Sequence, residues 1–299
     1  MSTVPTELSA ARDKFLEMVR ELRPELHRYC SRLVGSAIDG EDVVQETLAK
    51  AFYALGLQSE MPPLRPWLLR IAHNVGIDFL RRYDRRFVEP MAEPPEPIGG
   101  ADAVPPDVVR ASLSSFVALP VLSRSAVILK DVLGCSLEEI AETTQTSLPA
   151  VKSALSRGRA GLRAQAKPDV TPWRDLPQTS PAERALLDRY CALFNARDWP
   201  GLQGLLSEEC RLDLVAKASR RGKNQVVPYY GNYAQEDTRV AMAQAEGRDV
   251  LAVYRPASSA APAYIIAIEW VGEQVGLIRD YRYVPYLAAE LELVAPQNL

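Results

Sequence analysis

The chain has few of the residues that metal sites and proton-transfer catalysis use most. Only two histidines occur among 299 residues, and the four cysteines are scattered without a C-x-x-C pair. A zinc site or a disulfide framework is therefore not expected, and buried free thiols are the simpler interpretation of the cysteines. We predict no catalytic residues, no metal ion and no other cofactor.

Long apolar runs are missing as well. No stretch approaches the roughly 20 apolar residues of a membrane-spanning helix, and the opening MSTVPTELSAARDK lacks the apolar core of a signal peptide. We therefore expect a cytoplasmic protein that makes no membrane contact. The length of 299 residues and the hydrophobic content of 47% are enough for two or three domains with real cores.

Proline divides the chain into parts. The segments 87–107 and 168–180 are rich in proline, which packed helices and strands do not tolerate at that density, so both are predicted linkers. The helical pattern predicts one all-α domain before the first linker, at 1–86, and another between the two linkers, at 108–167. Residues 181–299 form the third predicted domain, in which helices precede strand-like runs, an α+β pattern.

The most informative stretch is SLEEIAETTQTSLPAVKSALSRGRAGLR, residues 136–163. Ser136 and Glu139 have the spacing of a capping box at a helix start. A polar turn follows, and a second helix then carries apolar or small residues on one side and cations on the other. Such a helix fits the major groove of DNA, although an ordinary solvated helical pair remains open. The candidate DNA-binding residues are Lys152, Ser153, Arg157 and Arg159.

Two further helices precede the first linker. One spans about 40–55 and carries the acidic and amide residues Asp42, Gln45 and Glu46. Without further information, these residues indicate only an ordinary acidic face of a helix. The other spans about 64–86, where four apolar residues at a spacing near four predict a buried stripe. Those residues are Trp67, Ile71, Val75 and Phe79. A neighbouring side of that helix carries Asn74, Asp78, Arg81 and Arg82, of which the arginines suit phosphate contacts.

Three segments at 24–86 resemble region 2 of bacterial extracytoplasmic-function (ECF) sigma factors: PELHRYCSRLVGS, DGEDVVQETLAKAFYAL and RPWLLRIAHNVGIDFLRR. The helix-turn-helix at 136–163 resembles region 4 of the same group. The resemblance implies a protein that binds bacterial RNA polymerase core and directs promoter-specific transcription initiation.

The resemblance also implies residue roles. Asp42, Gln45 and Glu46 would contact the clamp helices of the polymerase β′ subunit, and Gln58 and Ser59 would line the pocket for an extruded base of the minus-ten element. Promoter DNA would be contacted by two sets of residues. The first set is Asn74, Asp78, Arg81 and Arg82, and the second is Lys152, Ser153, Arg157 and Arg159. The chain departs from the family at Gln145, where a glycine is usual in the turn, and at Ala154, where an arginine is frequent.

The third domain resembles the SnoaL-like cone fold, in which helices pack on a curved antiparallel sheet, and a hairpin is predicted near Gly272. We expect this domain to regulate activity through intramolecular contacts with the sigma domains. The alternative is an enzyme or a metabolite-sensing one-component regulator that uses the pocket of the cone. Its candidate acids would be Asp213, Glu269 and Asp280, and its candidate phenols Tyr229, Tyr230, Tyr254, Tyr264 and Tyr281.

Overall fold

The computed structural model describes residues 14–57, 60–83, 113–164 and 179–294. The chain divides into two compact units, residues 1–174 and residues 175–299. The first predicted linker and most of the second lie outside the described residues, as do Gln58 and Ser59. Within the described ranges, no helix is long and apolar enough to cross a bilayer, and no group of three or more His, Cys, Asp or Glu side chains could hold a metal ion.

Helices build the described part of the first unit. A π-helical turn, Ile128–Val132, directly extends the fifth of the labelled helices. Their bounds are α1 (Arg23–Val34), α2 (Ala37–Leu55), α3 (Leu64–Tyr83), α4 (Leu113–Val117), α5 (Val121–Val127), α6 (Leu137–Thr144) and α7 (Leu148–Ala164).

The ends of α1 and α2 follow local chemistry. Pro24 lies in the first turn of α1, and Gly35, with φ of 80°, ends it in the left-handed conformation that glycine tolerates. Ser36 caps α2, since its extended backbone lets its side chain accept a hydrogen bond from the Asp39 N–H at 3.0 Å. Asp39 itself lies inside the first turn of α2.

One continuous apolar cluster fills the first unit. Tyr29 and Leu33 of α1, Val75 of α3, Val127 of α5 and Val151 of α7 are all buried in it. Trp67 and Phe79 are buried and Ile71 packs against the same cluster, as the stripe on α3 predicts. The helices on either side of the 87–107 segment therefore share a core within one compact unit.

The second unit combines helices with one seven-stranded sheet in the order β2-β1-β6-β5-β4-β3-β7, which is the α+β class predicted. The helices are α8 (Pro181–Asn195), α9 (Trp199–Gly204), α10 (Lys223–Val226), α11 (Pro228–Ala234) and α12 (Pro285–Glu290). The strands are β1 (Leu206–Leu214), β2 (Ala218–Arg221), β3 (Arg239–Ala245), β4 (Arg248–Tyr254), β5 (Tyr264–Val271), β6 (Gln274–Asp280) and β7 (Leu293–Val294).

The sheet is antiparallel except where β1 and β6 run parallel, with Leu212 opposite Ile278. The predicted hairpin joins β5 to β6, and Val271 pairs with Gln274 across a two-residue loop. Gly272, with φ of 61°, occupies the first loop position, where a two-residue hairpin demands positive φ.

Candidate functional site

The acidic and amide residues predicted on α2 share one half-exposed side of the helix. Asp42, Gln45 and Glu46 follow i, i+3 and i+4 spacing, which brings side chains together on a helix. The Nε2 atom of Gln45 is buried and has no hydrogen-bond partner within the described ranges. An amide in that state is costly.

Glu46 connects this side of α2 to α3. Its carboxylate lies 2.9 Å from Lys50 Nζ and 3.3 Å from Arg82 Nη2. Partial burial opposes ionisation, but the hydrogen bonds and charges of Lys50 and Arg82 outweigh it and lower the pKa of Glu46. The carboxylate is therefore charged at neutral pH, as a contact with a basic partner would require.

The four residues predicted on α3 lie together on an exposed side of that helix. Asn74, Asp78, Arg81 and Arg82 are all exposed, and their spacing of four, three and one keeps them on one face. Asp78 lies 3.8 Å from Arg81. Because Arg82 also reaches Glu46, the α2 and α3 residues form one continuous polar surface.

Helices α6 and α7 form the predicted helix-turn-helix. Both hydrogen bonds of the Ser136–Glu139 capping box are present, at 2.7 and 3.1 Å. Gln145 ends α6 with φ of 53° and ψ of 45°, which is the left-handed position that glycine would fill more readily. The turn forms as predicted, at a conformational cost.

The outer side of α7 presents fewer cations than the sequence suggests. Lys152 and Ser153 are exposed and Arg157 is half-buried, while Val151 and Leu155 face the core. Arg159 differs from the expectation: it is buried and makes a bidentate ion pair with Asp131, with N–O distances of 2.6 and 3.0 Å. This ion pair connects α7 to the π-helical turn. Because its guanidinium is buried and paired, Arg159 is not available to contact DNA.

A glycine sets how closely α7 approaches α5. A Cβ atom at Gly158 would lie 2.5 Å from Val127 Cγ2 and 2.8 Å from the carbonyl oxygen of Ser123. Neither distance is tolerated, and the second neighbour is backbone. Gly158 therefore lies on the inward-facing side of α7 at a point where only a hydrogen atom fits in place of a side chain.

The candidate acid Asp280 lies in a buried cluster of phenols in the second unit. Tyr229 and Tyr233 donate hydrogen bonds to its Oδ2 atom at 2.9 and 2.6 Å, and the backbone N–H of Arg282 donates to Oδ1 at 2.9 Å. Tyr264 donates to the Tyr233 hydroxyl, and Arg282 donates to that of Tyr264. Burial raises the pKa of Asp280, while these hydrogen bonds and Arg282 oppose the shift.

The candidate Tyr230 belongs to a second buried pair of phenols. The hydroxyl oxygen of the fully buried Tyr190 lies 3.1 Å from the hydroxyl oxygen of Tyr230. Asp213 faces Ser219 and Arg279 across neighbouring strands. Tyr233 was not among the sequence candidates, although its spacing of four from Tyr229 on a helix was the signal that could have found it. Because both carboxyl oxygens of Asp280 already accept hydrogen bonds, we interpret this side chain as a structural group.

Comparison with known families accounts for both parts of the first unit. Residues 18–86 match the family model "Sigma-70 region 2", and residues 116–162 match "Sigma-70, region 4". The two matches contain every residue predicted for polymerase or DNA contact. They also occur in the order that the resemblance implies.

Individual relatives agree with those matches. The chain is 33% identical over 161 residues to "ECF RNA polymerase sigma factor SigE" of Mycolicibacterium smegmatis, covering 52% of this chain and 62% of the relative. It is 32% identical over 225 residues to SigG of Mycobacterium tuberculosis, covering 66% and 60%. The chain thus spans about three fifths of these curated relatives.

Among solved structures, the chain is similar to the crystal structure of the M. tuberculosis ECF sigma factor SigJ. The two are 23% identical, with 88% of this chain and 95% of that chain covered and a TM-score of 0.35. The likeness therefore depends on the two sigma-70 regions and on the sequence relatives. Residues 18–86 and 116–162 match those two regions, and the chain is similar to extracytoplasmic-function sigma factors.

Proposed function

We propose that this protein binds bacterial RNA polymerase core and directs transcription initiation at specific promoters. The observation that carries the proposal is the pair of sigma-70 regions, in which Asp42, Gln45 and Glu46 of α2, the four α3 residues, and Lys152, Ser153 and Arg157 of α7 are exposed or half-exposed. A protein with this role works in the cytoplasm, where polymerase and promoter DNA are found. No catalytic group is assigned.

The polymerase contact is the α2 side that carries Asp42, Gln45 and Glu46, and its partner is the clamp-helix segment of the β′ subunit. The ionised Glu46 favours a basic partner, and the unsatisfied amide of Gln45 favours a polar one. Asp42 is half-buried on the same side and adds a second carboxylate.

Promoter DNA meets two surfaces. Arg81 and Arg82 on α3 are exposed cations that suit phosphates, while Asn74 and Asp78 can hydrogen-bond to bases or orient the arginines. On α7 the base-reading positions are Lys152 and Ser153, with Arg157 beside them. Without Arg159, the upstream element is read by few side chains.

The third predicted domain, residues 181–299 within the second unit, regulates these activities through contacts with the sigma domains. A catalytic role is disfavoured, because the carboxylate best placed for proton transfer, Asp280, is buried and bonded to two phenols and a backbone N–H. A metabolite-sensing pocket is the alternative, and binding to core polymerase separates the two: a sigma factor requires it and a one-component regulator does not.

Charge reversal on α2 tests the polymerase contact. The double variant Asp42→Arg/Glu46→Arg should lose at least tenfold of its affinity for purified core enzyme in co-purification, with unchanged helicity by circular dichroism. The matched control is Glu17→Arg/Glu21→Arg, which reverses two exposed acids on the same unit and should bind normally. Undiminished binding by the α2 variant would exclude this face.

A further inference from the structure

A basic stretch of the second unit lies on the hairpin that joins β1 to β2. Residues 214–235 contain four lysines and arginines and no aspartate or glutamate. The unit as a whole is acidic, since residues 175–299 carry 13 lysines and arginines against 16 aspartates and glutamates. The cations are therefore concentrated locally, and a local concentration, rather than the net charge, forms a binding surface for an anion.

Five cations form this surface, which we call the basic edge. β2 is the outermost strand at its end of the seven-stranded sheet, and four of the five cations lie on β2 or directly beside it. The fifth lies on β1. Four of them are exposed and Lys223 is half-buried. The set is Arg211, Lys217, Arg220, Arg221 and Lys223.

The register of β1 and β2 brings two like charges together. Arg211 of β1 lies directly opposite Arg221 of β2, and both side chains are exposed. Residues in that relation have Cβ atoms about 5 Å apart, and like charges there destabilise a sheet. An anion bound beside the two guanidinium groups would relieve this repulsion.

Acidic neighbours neutralise only part of the basic edge. Arg221 lies 3.2 Å from Glu209 and Lys223 lies 3.5 Å from Glu208, and both carboxylates are more than four-fifths exposed. Ion pairs so open to solvent contribute little to stability, so a phosphate can replace the carboxylate. The remaining cations make no ion pair with a carboxylate of the described ranges, and they are Arg211, Lys217 and Arg220.

The hairpin holds these cations on a rigid frame. β1 pairs with β2 on one side and with β6 on the other, so it lies inside the sheet. The Lys217 N–H closes the turn by donating to the Leu214 carbonyl oxygen at 2.8 Å, and the Gly222 N–H donates to the Cys210 carbonyl oxygen at 2.8 Å. Cations on such a frame lose less conformational entropy on binding than cations on a free loop.

We propose that the basic edge binds the phosphate backbone of double-stranded DNA without reading its sequence. Duplex DNA carries one negative charge for about each 1.7 Å of its axis, so a row of cations meets several phosphates at once. Arginine suits this role because its planar guanidinium donates two parallel hydrogen bonds to a phosphate. The contact adds affinity at every promoter and leaves the choice of promoter to α3 and α7. It goes beyond the proposed function, in which only the sigma-70 regions contact DNA.

The competing explanation is that the charges only protect an exposed strand edge. Edge strands often carry charged residues, which discourage pairing with other chains. On that explanation, removal of the cations leaves the affinity for DNA unchanged and promotes self-association. The two explanations therefore predict different results for one set of variants.

Removal of the three cations without an ion pair tests the basic edge, and their loss strands no carboxylate. The test variant of the full chain is Arg211→Ala/Lys217→Ala/Arg220→Ala. Its matched control removes the same charge from three exposed arginines elsewhere on the unit, Arg189→Ala/Arg239→Ala/Arg255→Ala. Fluorescence anisotropy, without polymerase, measures the affinity for a labelled duplex that lacks promoter elements over a range of salt concentrations.

We expect the test variant to bind this duplex at least tenfold more weakly than the unchanged chain. The slope of the log binding constant against log salt concentration should be smaller by about two units or more. The control variant should retain both values, as should Arg211→Lys/Arg220→Lys, which keeps the charge. Circular dichroism checks that each variant is folded.

Four results would overturn the proposal: an equal affinity in the test and control variants, an equal loss in the charge-keeping variant, self-association of the test variant with normal DNA binding, and no binding of the duplex by the unchanged chain. Normal DNA binding with lost transcription would also overturn it and would indicate an acidic protein partner instead. Co-purification with core enzyme should be normal for every variant. A chain that does not bind core enzyme, but whose test variant loses DNA affinity, would contradict the proposed function and support the basic edge.

Discussion

The hydroxyl oxygen of Tyr29 lies 2.8 Å from Nδ1 of His73, and both side chains are buried where α1 and α3 meet α5. Burial lowers the pKa of His73 to about 4, so the imidazole is neutral in the folded protein at physiological pH. An unfolded chain binds a proton at this residue near pH 6.5. Unfolding therefore takes up a proton between pH 6.5 and pH 4.

The first prediction is that acid destabilises the first unit through His73. Because the folded pKa is depressed, the stability contribution is fully present above pH 6.5 and is lost as the pH falls toward 4. We expect the free energy of unfolding to fall by about 2 kcal/mol between pH 7.5 and pH 5. Urea titrations at the two pH values measure it. His73→Gln should lack that increment, and an equal acid sensitivity in this variant would rule out His73 as the source.

The second prediction concerns Gly158. Gly158→Ala forces a methyl group against Val127 and the Ser123 carbonyl oxygen, so we expect a loss of about 1–3 kcal/mol in stability and weaker upstream-DNA binding as α7 shifts. Gly56→Ala is the control, since the nearest atom to its new Cβ would be 3.5 Å away. Equal stabilities of the two variants by urea unfolding would show that the helices are not closely packed at Gly158.

The third prediction is a gain of stability at the helix-turn-helix. Gln145 has a left-handed backbone, which costs a residue with a side chain about 1 kcal/mol and glycine little. Gln145→Gly should therefore raise the free energy of unfolding by about 1 kcal/mol, while Gln145→Ala should not. A calorimetric or urea series on the three proteins decides, and a destabilised glycine variant would contradict the turn geometry.

The fourth prediction separates three cations of α7. Lys152→Ala and Arg157→Ala should each weaken upstream-element binding. If the cation contacts a phosphate, the slope of the log binding constant against log salt concentration should fall by about one unit. If it contacts a base, about 1–3 kcal/mol of discrimination against the wrong base should be lost. Arg159→Ala should instead destabilise the fold by on the order of 3 kcal/mol, because it strands Asp131. The exposed Arg189 on α8 provides a control, Arg189→Ala. Footprints unchanged in both Lys152 and Arg157 variants would exclude this side of α7.

The fifth prediction concerns residues 175–299. A chain that ends at residue 174 keeps the whole first compact unit and should remain folded, but its transcription should differ at least severalfold from that of the full chain. A measured rate identical to that of the full chain would remove the regulatory role from this unit.

Local signals in the sequence predicted much of the first unit. The capping box at Ser136 and the apolar stripe on α3 each depend on neighbours within four residues. Short-range sterics and hydrogen bonding are therefore enough to determine these features. The exposed side of α3 follows from the same periodicity.

Long-range partners could not be read in this way. Arg159 looks like its cationic neighbours until Asp131, 28 residues earlier, is brought beside it. The Arg124 bond to Leu33 spans 91 residues, and Ser125 and Tyr29 are 96 apart. No periodic pattern contains such distances, so these contacts emerge only from the tertiary structure.

The second unit shows the same division. The β5–β6 hairpin was predictable because its turn needs a glycine at the first loop position. Strand β3, with the sequence RVAMAQA, lacks a strong strand pattern. The parallel pairing of β1 with β6 joins residues at least 66 positions apart, such as Leu212 and Ile278, and local sequence does not encode such a pairing.

The measurement that tests the central claim most directly is transcription from genomic DNA by purified core polymerase with and without this protein, followed by sequencing of transcript 5′ ends. We predict a discrete set of start sites that appears only when the protein is present. The DNA preceding these sites should share two elements more than one helical turn apart. Start sites identical to those of core polymerase alone would contradict the account.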